Sequence, residues 1–161
     1  MSATEALQAE IKTLVEAVAA IGPVYDYPRW AIHPNDIESQ LAVADDTIRT
    51  WRVQYTEVLP GSLTEQRRTQ GDNLEHITIE VVHYREIFDP GASGDPASFP
   101  AFMAMLEAIR NAIRPHVTTD TAQTLDIPSR LAPEMVELGG GTYKCHRGRI
   151  MVVGHCVTKR E

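Results

Sequence analysis

The sequence predicts an α+β domain: a small, mostly antiparallel sheet with two helices packed on it. Three observations carry that prediction. Two segments, Thr4–Ile21 and Ser98–Ile113, place apolar residues at helical spacing. Two others, Thr47–Leu59 and Glu75–Phe88, are rich in β-branched and aromatic residues. The strands are neighbours in sequence, which favours antiparallel pairing, and two striped helices can cover one face of the resulting sheet. The chain of 161 residues suits one core, and no repeat, low-complexity run or linker divides it, so residues 1–161 are expected to form a single domain.

In the first helix Leu7, Ile11, Leu14, Val15, Val18 and Ile21 form a stripe, with Glu5, Glu10, Lys12 and Glu16 off it. Ser2 or Thr4 caps its start and Gly22–Pro23 ends it. Val24–Arg29 reads as a short extended piece that Pro28 restricts to an edge or an end. A short helix is expected over Asp36–Val43, before the strand at Thr47–Leu59. Residues 60–74, with turn residues at both ends and Arg67 and Arg68 central, read as a polar connection or arm that can order against a neighbour. In the strand Glu75–Phe88, Ile77, Ile79 and Val81 share one face and Thr78 and Glu80 the other. After the loop "DPGASGDPAS", Ser98 offers a cap and Pro100 is tolerated in the first turn of the second helix. That helix aligns Phe99, Phe102, Met103, Leu106, Ile109 and Ile113 and stops before Pro115. Residues 116–133 are looser, "EMVEL" is a further strand, "GGGT" a turn, and residues 149–159 the last strand.

Composition narrows the function. A net charge of −7 argues against general binding to nucleic-acid phosphates, which needs a basic footprint. Two cysteines make no disulfide framework and fit a reducing compartment. The acidic N-terminus is unlike a signal peptide, and no apolar run approaches the ~20 residues of a membrane span.

The stretch "KCHRGRIMVVGHCV", residues 144–157, holds both cysteines and two of the six histidines. Four such side chains suggest zinc, yet each pair is adjacent and the stretch reads as a strand. Neighbours on a strand point apart, and His146 and Cys156, which share a face by parity, lie ~33 Å from each other along it. The pattern therefore favours strand residues over metal ligands. A P-loop, an H-E-x-x-H helix and a G-x-S-x-G elbow are all lacking. Ser62 has no assignable base. Asp45–Asp46 and the pair Glu134 and Glu137 read as solvated surface, and the histidines at 33, 76, 83, 116, 146 and 155 form no local cluster. No catalytic residue, metal ligand or cofactor is expected, and the chain reads as a non-enzyme.

Three stretches, "AIGPVYDYPRW", "IRTWRVQYTEV" and "ELGGGTYKCHRGRIMVVGHCVTKRE", taken with the element order, resemble the tail terminator (tail-completion or neck) proteins of tailed bacteriophages. The resemblance implies a fold of a small sheet with packed helices, and a homohexameric ring that caps the head-proximal end of the tail tube. Such a ring ends tube polymerisation and docks the tail to the head. The partners implied are the tail tube protein, the head-side connector or stopper, and the sheath if the tail is contractile. Genome DNA passes through the lumen without specific binding, and the location is the virion after assembly in the host cytoplasm, with no membrane involved. In the family a Cys-His pair opens the last strand, as Cys145–His146 would here. Trp30, Trp51, Arg52, Arg67 and Arg68 are the candidate interface residues, since tryptophan and arginine are enriched at hot spots; the two tryptophans can equally fill or shield the core. The alternatives are another neck component, a head-side stopper or adaptor, and a small metal-dependent enzyme built from dispersed histidines.

Overall fold

The computed structural model describes residues 1–29, 41–45, 50–67, 72–87, 98–141 and 143–159. Helix α1 spans Ala3–Glu16. Ser2 caps it: the Glu5 amide donates to Ser2 Oγ at 3.2 Å, and the Ser2 amide donates back to Glu5 Oε2 at 2.7 Å. This reciprocal box satisfies two of the amides that a helix start leaves open. The helix ends earlier than Gly22–Pro23. Beyond Ala17 the chain turns through i→i+3 bonds, Val18 to Val15 O and Ile21 to Val18 O. Ile21 still reaches the core through these turns, and Val18 packs against its border. Helix α2 spans Ser98–Ile113 and buries Phe102, Leu106, Ile109 and Ile113. Phe99, expected on the same stripe, is half exposed.

The sheet is larger than expected and mostly antiparallel. Its strands are β1 (Val24–Tyr25), β2 (Ala42–Asp45), β3 (Thr50–Arg67), β4 (Asp72–Glu86), β5 (Thr124–Leu125), β6 (Ser129–Arg130), β7 (Glu134–Leu138) and β8 (Tyr143–Lys159). The long strands β3, β4 and β8 form its centre. Strand β1 pairs parallel with β3 at Thr56 and Glu57, and β2 pairs antiparallel with Thr50–Val53. On the other side β5, β6 and β7 line β8 in succession. The looser stretch 116–133 thus supplies two short edge strands. The turn after β7 runs through Gly139, Gly140 and Gly141, all at positive φ, the region that only glycine enters freely.

Two expectations are corrected here. The helix proposed for Asp36–Val43 runs two residues too far: Leu41 is helical, Ala42–Asp45 is strand β2, and residues 36–40 lie outside the described residues. The connection proposed for residues 60–74 is mostly strand. The ladder of β3 with β4 runs from Gln54↔Arg85 to Arg67↔Asn73 with one shift between Pro60 and Leu63. Pro60 is tolerated there because the outer edge needs no amide, and a Cβ on Gly61 would sit 2.8 Å from the Thr78 carbonyl oxygen. Residues 60–66 are exposed, so their polarity reports a solvated edge and not a loop.

One core lies under the helices, where Leu7, Ile11 and Val15 of α1 and Phe102, Leu106 and Ile109 of α2 meet Val58, Ile77, Ile79, Val81, Ile150 and Val152. A smaller one lies on the opposite face around Leu41, Val53, Tyr55 and Cys145. The stretch holding the cysteines is one continuous strand. Cys145 enters the small core and Cys156 the main one, both as free thiols. Burial pushes the Cys145 thiol up to about 12, which leaves it an inert apolar group at neutral pH.

Candidate functional site

The face of the sheet opposite α1 and α2 carries a cluster of aromatic and charged groups. Strand alternation sends Tyr55 and Glu57 of β3, Glu80 and Tyr84 of β4, and Arg147 and Arg149 of β8 to this side. Tyr55 and Tyr84 are cross-strand partners and stack with centroids 4.5 Å apart and planes 9° apart. Tyr25 meets Tyr55 edge-on at 6.5 Å and Tyr27 at 5.8 Å. The Arg29 guanidinium lies 4.4 Å from the Tyr25 centroid and 5.2 Å from that of Tyr27, a cation held over two ring faces. Its backbone amide donates to Glu57 Oε1 at 2.8 Å. The segment leading to Trp30 is therefore pinned to the sheet by rings, a cation and a buried carboxylate.

Glu57 is 3% exposed. Burial raises its carboxyl above the ordinary range, against the Arg29 amide bond and the charges of Arg147 and Arg29. An acid raised on folding binds more protons in the native state than in the unfolded chain. This contribution is therefore favourable at low pH and is lost as pH rises from the ordinary carboxylate value through the raised one. Glu57→Gln keeps the acceptor for the Arg29 amide and removes the charge. It is expected to raise stability at pH 7, and in urea unfolding to remove the decline above the ordinary carboxylate range that Glu57 should give the wild type. Equal pH profiles in the two proteins would exclude this role.

Beside this cluster Glu134 joins two cations. Arg147 Nε donates to its Oε2 at 3.1 Å and Arg149 Nη2 to its Oε1 at 3.2 Å, while Arg149 Nη1 lies 3.5 Å from Glu80. The Arg147 hydrogen bonds hold the Glu134 carboxyl below its usual range. The groups are only partly covered, so each pair adds little stability, and their value is in setting a charge pattern on an open face.

The arm completes the region. Strand β2 occupies the outer edge of β3 at Thr50–Val53, β1 occupies it at Thr56–Glu57, and Gln8 Nε2 donates to the Val58 carbonyl at 2.7 Å. From Leu59 to Arg67 no strand of the described residues pairs with that edge. Leu63 in this stretch is 53% exposed. An open edge of this length is a template for another chain.

The three candidate interface residues that are described, Trp51, Arg52 and Arg67, do not fall together on the backbone. Trp51 and Arg52 pair with Ala44 and Val43 of β2, at the opposite end of β3 from Arg67, which pairs with Asn73. Fifteen residues of strand separate Arg52 from Arg67, about 50 Å at ~3.3 Å per residue. Trp30 and Arg68 lie outside the described residues.

Two histidine arrangements escaped the sequence. His83 Nδ1 lies 2.8 Å from Thr56 Oγ1 under α2, fully buried. His76 and His155 face each other across β4 and β8, with Asp126 beside His155. Both histidines of the second pair fall in strands that the sequence indicates, yet only the register, His76↔His155, brings them together. Among the described residues no group of three or more His, Cys, Asp or Glu side chains is arranged to hold a metal ion. Among them, too, no helix is long and apolar enough to cross a membrane. No protein-family model matches the chain, and no curated protein matches it.

Proposed function

We propose that this chain is a structural subunit of a phage tail, a tail-terminator-like protein whose ring caps the head-proximal end of the tail tube. The observation that carries this reading is the arm of β3, β4 and β8: among the described residues no strand pairs with its β3 edge from Leu59 to Arg67, and residues 60–66 are exposed. A subunit that completes its sheet against a neighbour needs such an edge, whereas a monomeric protein normally blunts it. The sequence resemblance in the three stretches quoted above points to the same class. The face of tyrosines and paired charges supplies a patterned surface for the next component, the tube or the head-side connector, and the sheath in a contractile tail. The net charge of −7 suits a lumen that DNA traverses without adhering. The subunit acts by assembly, in the virion, without catalysis.

Negative-stain electron microscopy of the purified protein, alone and mixed with its tail-tube subunits, tests this. Six-fold rings, or tubes capped at one end and arrested in length, are expected. Arg67→Glu combined with Arg68→Glu is expected to weaken ring formation, read as a shift toward monomer in light scattering. A monomer that ignores growing tubes would overturn the reading and move the assignment to a head-side stopper or adaptor.

A further inference from the structure

We infer that His76 and His155 form a two-imidazole site for a divalent transition metal of the zinc class, with Asp126 positioning His155. This does not rest on the ring reading, and it departs from the expectation that the chain holds no metal ligand.

Strands β4 and β8 pair without a register shift from Asp72↔Lys159 to Glu86↔Cys145, which makes His76 and His155 direct partners in a rigid two-strand frame. Their neighbours Ile77 and Cys156 enter the main core, so the two imidazoles project to the face opposite α1 and α2. The two Nδ1 atoms are 2.6 Å apart, and the rings stand at 89° with centroids 4.6 Å apart. On the far side of His155, Nε2 lies 3.2 Å from Asp126 Oδ1. Asp126 is itself fixed: its amide donates to the Val153 carbonyl at 2.9 Å, and the Gln123 amide donates to the His155 carbonyl at 2.9 Å.

A carboxylate only accepts, so His155 donates to Asp126 from Nε2, and the neutral ring presents a bare Nδ1 to His76. Two bare ring nitrogens cannot face each other at this distance; a proton or a cation must lie between them. A proton gives an N–H···N bond from His76. A metal ion replaces that proton, and His76 then carries its own on Nε2. With Zn–N bonds of about 2.05 Å and a tetrahedral angle the nitrogens would stand about 3.3 Å apart, an opening that small rotations of two side chains provide. Imidazole suits zinc, copper and nickel, and a carboxylate on the second nitrogen of a ligating histidine is the usual outer-shell arrangement. The side chain of His155 is 23% exposed and that of Asp126 62%, so the remaining positions on the metal are open to water or to a ligand from another molecule.

Calorimetric titration of zinc into the purified full chain is the test. One zinc per chain is expected. His76→Gln and His155→Gln should each lower the association constant by at least ~10-fold, and Asp126→Asn by ~10-fold, the usual scale for outer-shell partners. A variant with Cys145→Ser and Cys156→Ser should bind as the wild type does. Long-range ¹H–¹⁵N spectra of the wild type provide a readout that needs no variant: the metal-free protein should show His155 protonated at Nε2, and zinc should shift Nδ1 of both histidines. No stoichiometric uptake, uptake that survives His76→Gln, uptake lost with the cysteines, or imidazole signals that zinc leaves unmoved would each overturn the assignment.

Discussion

Acidification from pH 6.5 through pH 3 is expected to cost this domain on the order of 4 kcal/mol through one side chain, His83. The ring is fully buried under α2, 6.1 Å from the Phe102 ring and nearly parallel to it at 17°. Burial first, and the Arg85 charge second, lower its pKa from 6.5 to about 3. In the native protein the ring stays neutral, while in the unfolded chain it takes up a proton as pH falls below 6.5. The unfolded state therefore binds more protons in that window, stability rises with pH across it, and the contribution present above pH 6.5 is lost on the way down. Between pH 7 and pH 5 the loss is about 2 kcal/mol. His146, also lowered by burial and by Arg85, acts in the same direction. Glu57 acts in the opposite one, so the two buried groups together predict a stability maximum and not a monotonic profile. The decisive variant is Thr56→Val with His83→Phe. It replaces both members of the buried hydrogen bond by apolar groups of similar shape, which is close to neutral at pH 7, whereas His83→Phe alone strands the Thr56 hydroxyl at a cost of about 1–3 kcal/mol. Urea unfolding of the double variant should show the drop between pH 7 and pH 5 reduced by about 2 kcal/mol. An unchanged drop would mean that the acid sensitivity lies elsewhere.

The parts of the fold that were legible in the sequence are those in which one face is buried along a regular period. Leu7, Ile11 and Val15 on α1, Phe102, Leu106, Ile109 and Ile113 on α2, and Ile77, Ile79 and Val81 on β4 are all buried at the spacing that marked them. The arm was not legible because residues 60–66 are exposed on both faces, so they carry no alternation. What extends β3 to Arg67 is a ladder with β4, which is itself held by β8. The site was less legible still. His76 and His155 lie 79 residues apart, and the contact of Arg29 with Tyr25 and Tyr27 depends on how β1 docks beside β3. Gly148 lies within the longest uninterrupted ladder of the sheet, opposite His83.

That glycine and Gly154 explain how the helices sit on the sheet. Both fall on the helix face of β8, flanking Ile150 and Val152. A Cβ at Gly148 would lie 2.4 and 2.5 Å from the two terminal carbons of Leu106, and one at Gly154 would lie 2.6 Å from Leu7 Cδ2 and 3.2 Å from Ala122 Cβ. Leu106 of α2 and Leu7 of α1 have no exposed surface, so neither can swing into solvent to make room. Each glycine is a notch that seats one helix. Gly148→Val and Gly154→Val are each expected to cost about 3 kcal/mol, with the alanine variants at the lower end of the ~1–3 kcal/mol typical of overpacking. The sign of the alanine result is diagnostic. Replacing a strand glycine whose backbone an L-residue can adopt ordinarily stabilises by about 0.4–1 kcal/mol, by restricting the unfolded chain. Neither Gly148 nor Gly154 has a left-handed backbone, so space alone decides. Leu106→Ala should cost about 2–5 kcal/mol in the wild type. Combined with Gly148→Ala it should cost at least ~1 kcal/mol less than the sum, because the added methyl occupies volume that the truncation opens. Thermal unfolding of the four proteins in this cycle decides the matter: a stabilising Gly148→Ala, or strict additivity with Leu106→Ala, would show that α2 does not rest on the glycine.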